Sequence, residues 1–290
     1  METADQLKET VRQKYGEIAG QSTSTLESQG CCGPTSCCNA DVEANVPIAM
    51  AEDYQKLNGY VADADLGLGC GLPTQFAQIK PGDIVVDLGS GAGNDCFVAR
   101  AEAGETGRVI GLDMTPAMID RARKNAKVRG FKNVEFVYGD IEDMPLPDDL
   151  ADVVVSNCVM NLVPDKAKAF AETFRILKPG GHFSISDIVL LGDLPEGLRQ
   201  DAEMYAGCVS GAIQKDAYLK TIADCGFTHI IVQKQREIHI PDAVFMRYLT
   251  DNEIAAYRNQ DKNHPSFGIF SVTVFAEKPV QSCCGPDCCN

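Results

Sequence analysis

From residue 83 onward the chain alternates between short apolar runs, turns and helical patterns, and this rhythm narrows the fold more than any other feature. Residues 84–88, Ile-Val-Val-Asp-Leu, are apolar and β-branched, as in a strand buried on both faces. A glycine-rich turn and a helix over about 95–103 follow. A second strand over 109–112 leads to a helix opened by Thr115 and Pro116, an N-cap residue followed by proline at the first helical position. Strands over 134–138 and 152–156, a helix running through Phe174, and a strand over 183–188 complete the series. Repeated strand–helix units require right-handed crossovers, so the expected fold class is α/β, a parallel Rossmann-like sheet with helices on both faces.

The flanks read differently. Leu7, Val11, Tyr15 and Ile18 recur at helical spacing, which predicts a helix over 5–19, and the Ser- and Thr-rich run 21–30 reads as a linker. After Leu191 the rhythm loosens. Helices are expected over 196–208 and 215–225, then β-rich runs over 228–233 and 270–276, read as closing strands plus a smaller α+β cap facing substrate. The expected organisation is an N-terminal helix and cysteine-bearing arm (1–40), a cofactor-binding domain (41–190), a substrate cap (191–278) and a flexible cysteine-rich tail (279–290).

With 26 basic and 41 acidic residues the net charge is −15, which repels phosphate backbones and anionic headgroups and argues against nucleic-acid and membrane partners. The start, Met1-Glu2-Thr3-Ala4-Asp5, lacks a basic and then apolar leader, and no run approaches the ~20 apolar residues of a bilayer span. A cytoplasmic location is expected. There, the 13 cysteines are the anomaly, because reduced clustered cysteines serve metal, redox or nucleophilic chemistry.

The segment Asp87-Leu88-Gly89-Ser90-Gly91-Ala92-Gly93-Asn94 follows a predicted strand and opens a helix, the setting of a nucleotide-binding loop. A dinucleotide fingerprint would place its third glycine where Asn94 stands, and the acid before the glycines suits a ligand carrying an α-amino group. Asp113 ends the second strand, where a carboxylate can accept both ribose hydroxyls. Asp140 follows the third, where it can meet an exocyclic amine. All three acids fall at the carboxyl ends of parallel strands, the side on which such sheets bind ligands.

Over roughly residues 80–189 the chain resembles the class I S-adenosylmethionine methyltransferases, in Val86–Gly93, Gly111-Leu112-Asp113-Met114, Gly139-Asp140-Ile141-Glu142 and Leu177-Lys178-Pro179-Gly180-Gly181. The resemblance implies S-adenosyl-L-methionine as cofactor. Asp87 and the loop of Gly89, Ser90, Gly91 and Gly93 would hold its methionine moiety, and Asp113 its ribose. Met114 would pack on adenine, and Asp140 with Ile141 would read the adenine edge.

Five cysteines stand apart from the termini: Cys70, Cys96, Cys158, Cys208 and Cys225. Cys96 and Cys225 read as small core residues. Cys158 follows the fourth strand, Cys208 lies in a small-residue stretch beyond the core sheet, and Cys70 sits in a glycine-rich loop before it. The segments Asp65-Leu66-Gly67-Leu68-Gly69-Cys70-Gly71, Gly93-Asn94-Asp95-Cys96, Ser156-Asn157-Cys158-Val159-Met160-Asn161-Leu162 and Gly207-Cys208 resemble a narrower family, the arsenite S-adenosylmethionine methyltransferases. That resemblance implies transfer of methyl groups to thiol-bound trivalent arsenic. Cys158 and Cys208 would be permanent ligands, and Cys70 with Cys31, or its neighbour Cys32, would deliver the metalloid and cycle through disulfides. A thiol reductant, glutathione or thioredoxin, would then be a co-substrate. Soft thiolates suit a soft centre. Trivalent arsenic held by three sulfurs keeps a lone pair that can attack a sulfonium methyl without a general base, and no histidine occurs in these motifs.

The two Cys-Cys-Gly-Pro clusters remain. Cys37 and Cys38 extend Cys31 and Cys32, and Cys283, Cys284, Cys288 and Cys289 repeat the pattern at the other end. Capture of a soft metal or metalloid, a zinc site and a passive tail are all open to them, with capture favoured because vicinal pairs depart from the usual zinc-ligand spacing. Two rival functions stand beside the arsenic reading: a carbon or oxygen methyltransferase for a quinone-type precursor, and a non-catalytic metalloid- or zinc-binding module on the same scaffold.

Overall fold

The computed structural model describes residues 3–20, 52–192, 211–238, 246, 250–259 and 268–280. In chain order these form helix α1 (Ala4–Gly20), a short α2 (Pro73–Phe76), strand β1 (Ile84–Leu88), α3 (Asn94–Ala103), β2 (Arg108–Asp113), α4 (Pro116–Arg129), β3 (Val134–Tyr138), β4 (Ala151–Asn157), α5 (Lys166–Ile176), β5 (Leu177–Leu191), α6 (Lys215–Asp224), β6 (Thr228–Glu237), α7 (Asp251–Arg258) and β7 (Gly268–Glu277). They build one seven-stranded sheet of order β3-β2-β1-β4-β5-β7-β6. The α/β sheet read from the alternation is present. The expected helix over 196–208, the linker and the tail from Gln281 onward lie outside the described residues.

The period-two alternation of the central strands explains why both faces are covered. Val85 pairs in register with Val109 and with Val153, and these three share one core with Phe97 of α3 and Ile119 of α4. Their neighbours Val86, Ile110 and Val154 face the other way, into a core with Phe170 of α5, Phe183 and Tyr218 of α6. Phe97 and Phe170 are fully buried, and truncating either to alanine would cost about 3–5 kcal/mol.

One feature corrects the sequence reading. The sheet is not wholly parallel, since β7 runs antiparallel to both β5 and β6. Strand direction follows from how a connection returns, and an antiparallel partner needs no helical crossover. The closing strands read from 228–233 and 270–276 are present as β6 and β7 of the same sheet. Helix α1 lies against α4, with Arg121 Nη1 donating to the Ala19 carbonyl at 3.0 Å. Helix α7, not foreseen, begins with a reciprocal capping box between Thr250 and Glu253. No described helix is long and apolar enough to cross a membrane.

Candidate active site

Along the sheet, strand order reverses between β1 and β4, so the loops leaving these strands diverge and open a crevice at their carboxyl ends. A cleft of about 1060 Å³, open to solvent on one side, lies there. Asp87, Gly89, Ser90 and Gly91 line it from β1 and its turn, Asp113 and Met114 from β2, and Asp140 and Ile141 from beyond β3. Gly93 stands back. With φ of 97° it caps α3, and a Cβ there would lie 2.9 Å from the rings of Phe136 and Phe97, so its part is to make the turn. Gly89, at φ 70°, leaves space that a Cβ would take from Val159.

Each acid is held differently. Asp87 is buried, accepts the Cys96 thiol at 3.2 Å, and is driven well above the usual carboxylate range by burial and then by the charge of Asp95. Asp113 accepts the backbone N–H of Gly91 at 2.9 Å and of Thr115 at 2.8 Å, while burial moves it upward. Asp140 feels burial too, but Lys8 Nζ at 2.6 Å and the Glu142 N–H outweigh it and bring it below its ordinary value. Lys8 also binds Glu142 at 2.6 Å. With Val11 and Tyr15 it brings α1 over the cleft, a placement the sequence reading missed. Ser90 Oγ and Asn94 Oδ1 are buried without a hydrogen-bond partner among the described residues, and a Cβ on Gly91 would meet nothing. Unspent polar atoms beside open space fit a ligand with amino-acid and nucleoside parts.

The thiols gather at the adjoining wall. Cys158 follows β4 with φ of 61°, a left-handed conformation that a residue with a Cβ adopts at a cost, and its N–H donates to Ser186 at 2.8 Å. Cys70 comes from the loop before α2. Asn157 Oδ1 accepts the N–H of Cys70 at 3.0 Å and of Gly71 at 3.2 Å, and Ser271 Oγ donates to the Cys70 carbonyl at 2.6 Å. Through its Nδ2, Asn157 donates to the Gly71 carbonyl at 2.9 Å, to Asp95 at 3.2 Å and to Tyr54 Oη. Tyr54 Oη in turn donates to Asp95 at 2.8 Å, and burial pushes Asp95 up to about 6. One amide thus ties the Cys70 loop to the cleft floor.

The sulfurs of Cys70 and Cys158 and a carboxylate oxygen of Asp187 all lie within 4.8 Å of one another, and all three residues are buried. Asp187 was not singled out from sequence. Its signal is a carboxylate inside the otherwise uncharged β5 run Phe183–Val189, all of it buried. The Ile188 N–H at 2.9 Å and Tyr218 Oη at 3.4 Å donate to it, and burial pushes it up to about 7. Of the three, Cys158 also lines the cleft. Cys96 and Cys225 lie outside this cluster. The first supports Asp87, and the second donates to the Ala167 carbonyl at 3.5 Å. Cys208, Cys31, Cys32, Cys37, Cys38, Cys283, Cys284, Cys288 and Cys289 lie outside the described residues.

Residues 79–226 match a family described as a methyltransferase domain, which defines the class. Among curated proteins, the arsenite methyltransferase of Halobacterium salinarum is 40% identical over 80% of this chain and 60% of its own length. That of Aquipseudomonas alcaligenes is 33% identical over 87% of this chain and 71% of its own. An arsenic(III) S-adenosylmethionine methyltransferase from Chlamydomonas reinhardtii, known by crystal structure, superposes with a TM-score of 0.61 at 33% identity, over 74% of this chain and 68% of that one. The chain belongs to the arsenite methyltransferase family, and it spans about 60% of the length of the Halobacterium relative.

Proposed function

We propose that the protein transfers methyl groups from S-adenosylmethionine to trivalent arsenic held by its cysteine thiols, and so detoxifies arsenite. The observation that supports this best is the approach of two buried cysteines from distant segments, Cys70 and Cys158, at the wall of the cleft. When bound, S-adenosylmethionine supplies an electrophilic methyl group. Asp113 would accept the ribose hydroxyls, Met114 and Ile141 would pack on the adenine, and Asp140 would meet its amine. Asp87 and the turn through Gly91 would hold the amino-acid end. Cys158 and Cys208 would hold the metalloid throughout, with Cys70 completing three sulfurs around it and Cys31 or Cys32 delivering it. Proximity and alignment supply most of the catalysis in such an arrangement.

Methyl transfer formally oxidises arsenic; two cysteine thiols supply the two electrons that return it to the trivalent state, becoming a disulfide that a glutathione- or thioredoxin-type thiol then reduces. A cytoplasmic setting keeps those thiols available. The test is to incubate the purified protein with arsenite, S-adenosylmethionine and glutathione and to separate the arsenic species by chromatography. Methylated arsenicals that depend on all three additions are expected. Unchanged arsenite in a protein that binds S-adenosylmethionine would overturn the reading.

A further inference from the structure

Trivalent arsenic has no need of a carboxylate, yet the third corner of the thiol cluster is an oxygen of Asp187. Sulfur suits the metalloid, whereas a mixed set of two thiolates and one carboxylate suits a borderline divalent cation. We propose that Cys70, Cys158 and Asp187 form a binding site for a thiophilic divalent cation of the zinc and cadmium kind, which occupies the metalloid's place. The inference shares its two thiols with the reading above, but it does not depend on methyl transfer.

Geometry, charge and access carry the argument. A tetrahedral ion with bonds near 2.3 Å sets its ligand atoms roughly 3.8 Å apart. The three donors already lie within 4.8 Å of one another, so each pair closes by about 1 Å at most, a distance covered by small side-chain rotations. As the cation enters, the two thiols lose their protons to solvent, and two thiolates with one carboxylate leave the filled site with a single negative charge. The carboxylate is held in place, since the Ile188 N–H donates to one of its oxygens and Tyr218 Oη to the other. The Asn157 bonds to Cys70 and Gly71 likewise fix the loop that carries one sulfur. Cys158 lines the cleft, so an exchangeable fourth ligand would reach the ion from that side, giving three protein ligands and one exchangeable place. Zinc or cadmium should therefore compete with arsenite for the enzyme.

Cobalt(II), a zinc surrogate whose thiolate complexes absorb by sulfur-to-metal charge transfer, serves as the probe. It would be titrated into full-length protein in which Cys31, Cys32, Cys37, Cys38, Cys283, Cys284, Cys288 and Cys289 are serine. One equivalent should give the charge-transfer absorption, and zinc or arsenite should displace it. Asp187→Asn should weaken cobalt binding at least tenfold while arsenite still binds, and Cys158→Ser should abolish the absorption. Absence of the absorption in the parent, or equal cobalt affinity in Asp187→Asn, overturns the site. If Asp187→Asn fails to fold, Cys70→Ser decides, since undiminished absorption there also overturns it. The spectrum is read without turnover. Cobalt binding of this kind, together with a wild-type protein that never methylates arsenite, upholds the metal site and refutes the methyltransferase reading.

Discussion

The two halves of the cleft are built in opposite ways. On the β1–β3 side, three acids sit at or just beyond strand ends; Asp87 and Asp113 are set by Cys96, Gly91 and Thr115, at most 22 residues away, and only Asp140 has a distant partner, Lys8. On the β4–β5 side, Cys70, Cys158 and Asp187 come from three separate segments, joined by Asn157 across 87 residues and by Ser271 across 201. A site of the first kind follows from local sequence. A site of the second kind exists only once the sheet has formed, so it should be the more sensitive to single substitutions, and the halves should fail separately.

The largest separation is expected from Cys70→Ser. Turnover of arsenite should fall by ~10²-fold or more, about 2.7 kcal/mol of lost transition-state stabilisation, while the monomethylated substrate, which needs fewer thiols, is largely spared. Parallel rate measurements on the two substrates check this, and equal losses would break the assignment of Cys70 as third ligand. Next comes Asp113→Ala, which should cost roughly 1–3 kcal/mol of S-adenosylmethionine affinity by calorimetry and leave arsenite binding unchanged. Unaltered cofactor affinity would remove Asp113 from the site.

How far each half was legible follows from the same contrast. Strands 84–88 and 134–138 and the helix after Thr115-Pro116 were readable because a buried β-branched run, a short β-forming run and a proline at the first helical turn act locally. The three acids were readable for the same reason. The reversed β7 was not, since the apolar run over 268–277 carries no sign of its direction. Lys8 gave no warning that it would bridge to Asp140, 132 residues away. Asn157 stood inside a recognised segment, but its partner Cys70 is fixed by topology alone. Asp187 did leave a trace, a charge in an apolar strand, whose meaning needed the two sulfurs beside it.

A smaller effect should join the halves. Asn157→Ala removes the bonds to Cys70, Gly71 and Asp95, and should weaken arsenite binding about tenfold, in line with one or two buried hydrogen bonds. Alkylation of Cys70, followed by mass spectrometry, should quicken in the variant; an unchanged rate would deny that Asn157 holds the loop. The smallest effect concerns pH. Asp187 stands near 7 in the folded protein, against about 3.9 for an unfolded carboxylate. Between those values the folded state binds the extra proton, so stability falls as pH rises through the window and is lowest above 7. Thermal melts should show higher stability at pH 5.5 than at pH 8, and Asp187→Asn should flatten that slope by ~1 kcal/mol. A steeper slope in the variant would contradict the placement of the carboxylate.

The central claim is that the metalloid and the methyl donor meet at Cys158. Single-turnover transfer of a labelled methyl group from S-adenosylmethionine to preloaded arsenite tests it most directly, in wild type and in Cys158→Ser. The variant should bind S-adenosylmethionine normally and deliver no label to arsenic. Label reaching arsenic at the wild-type rate in Cys158→Ser would contradict the account.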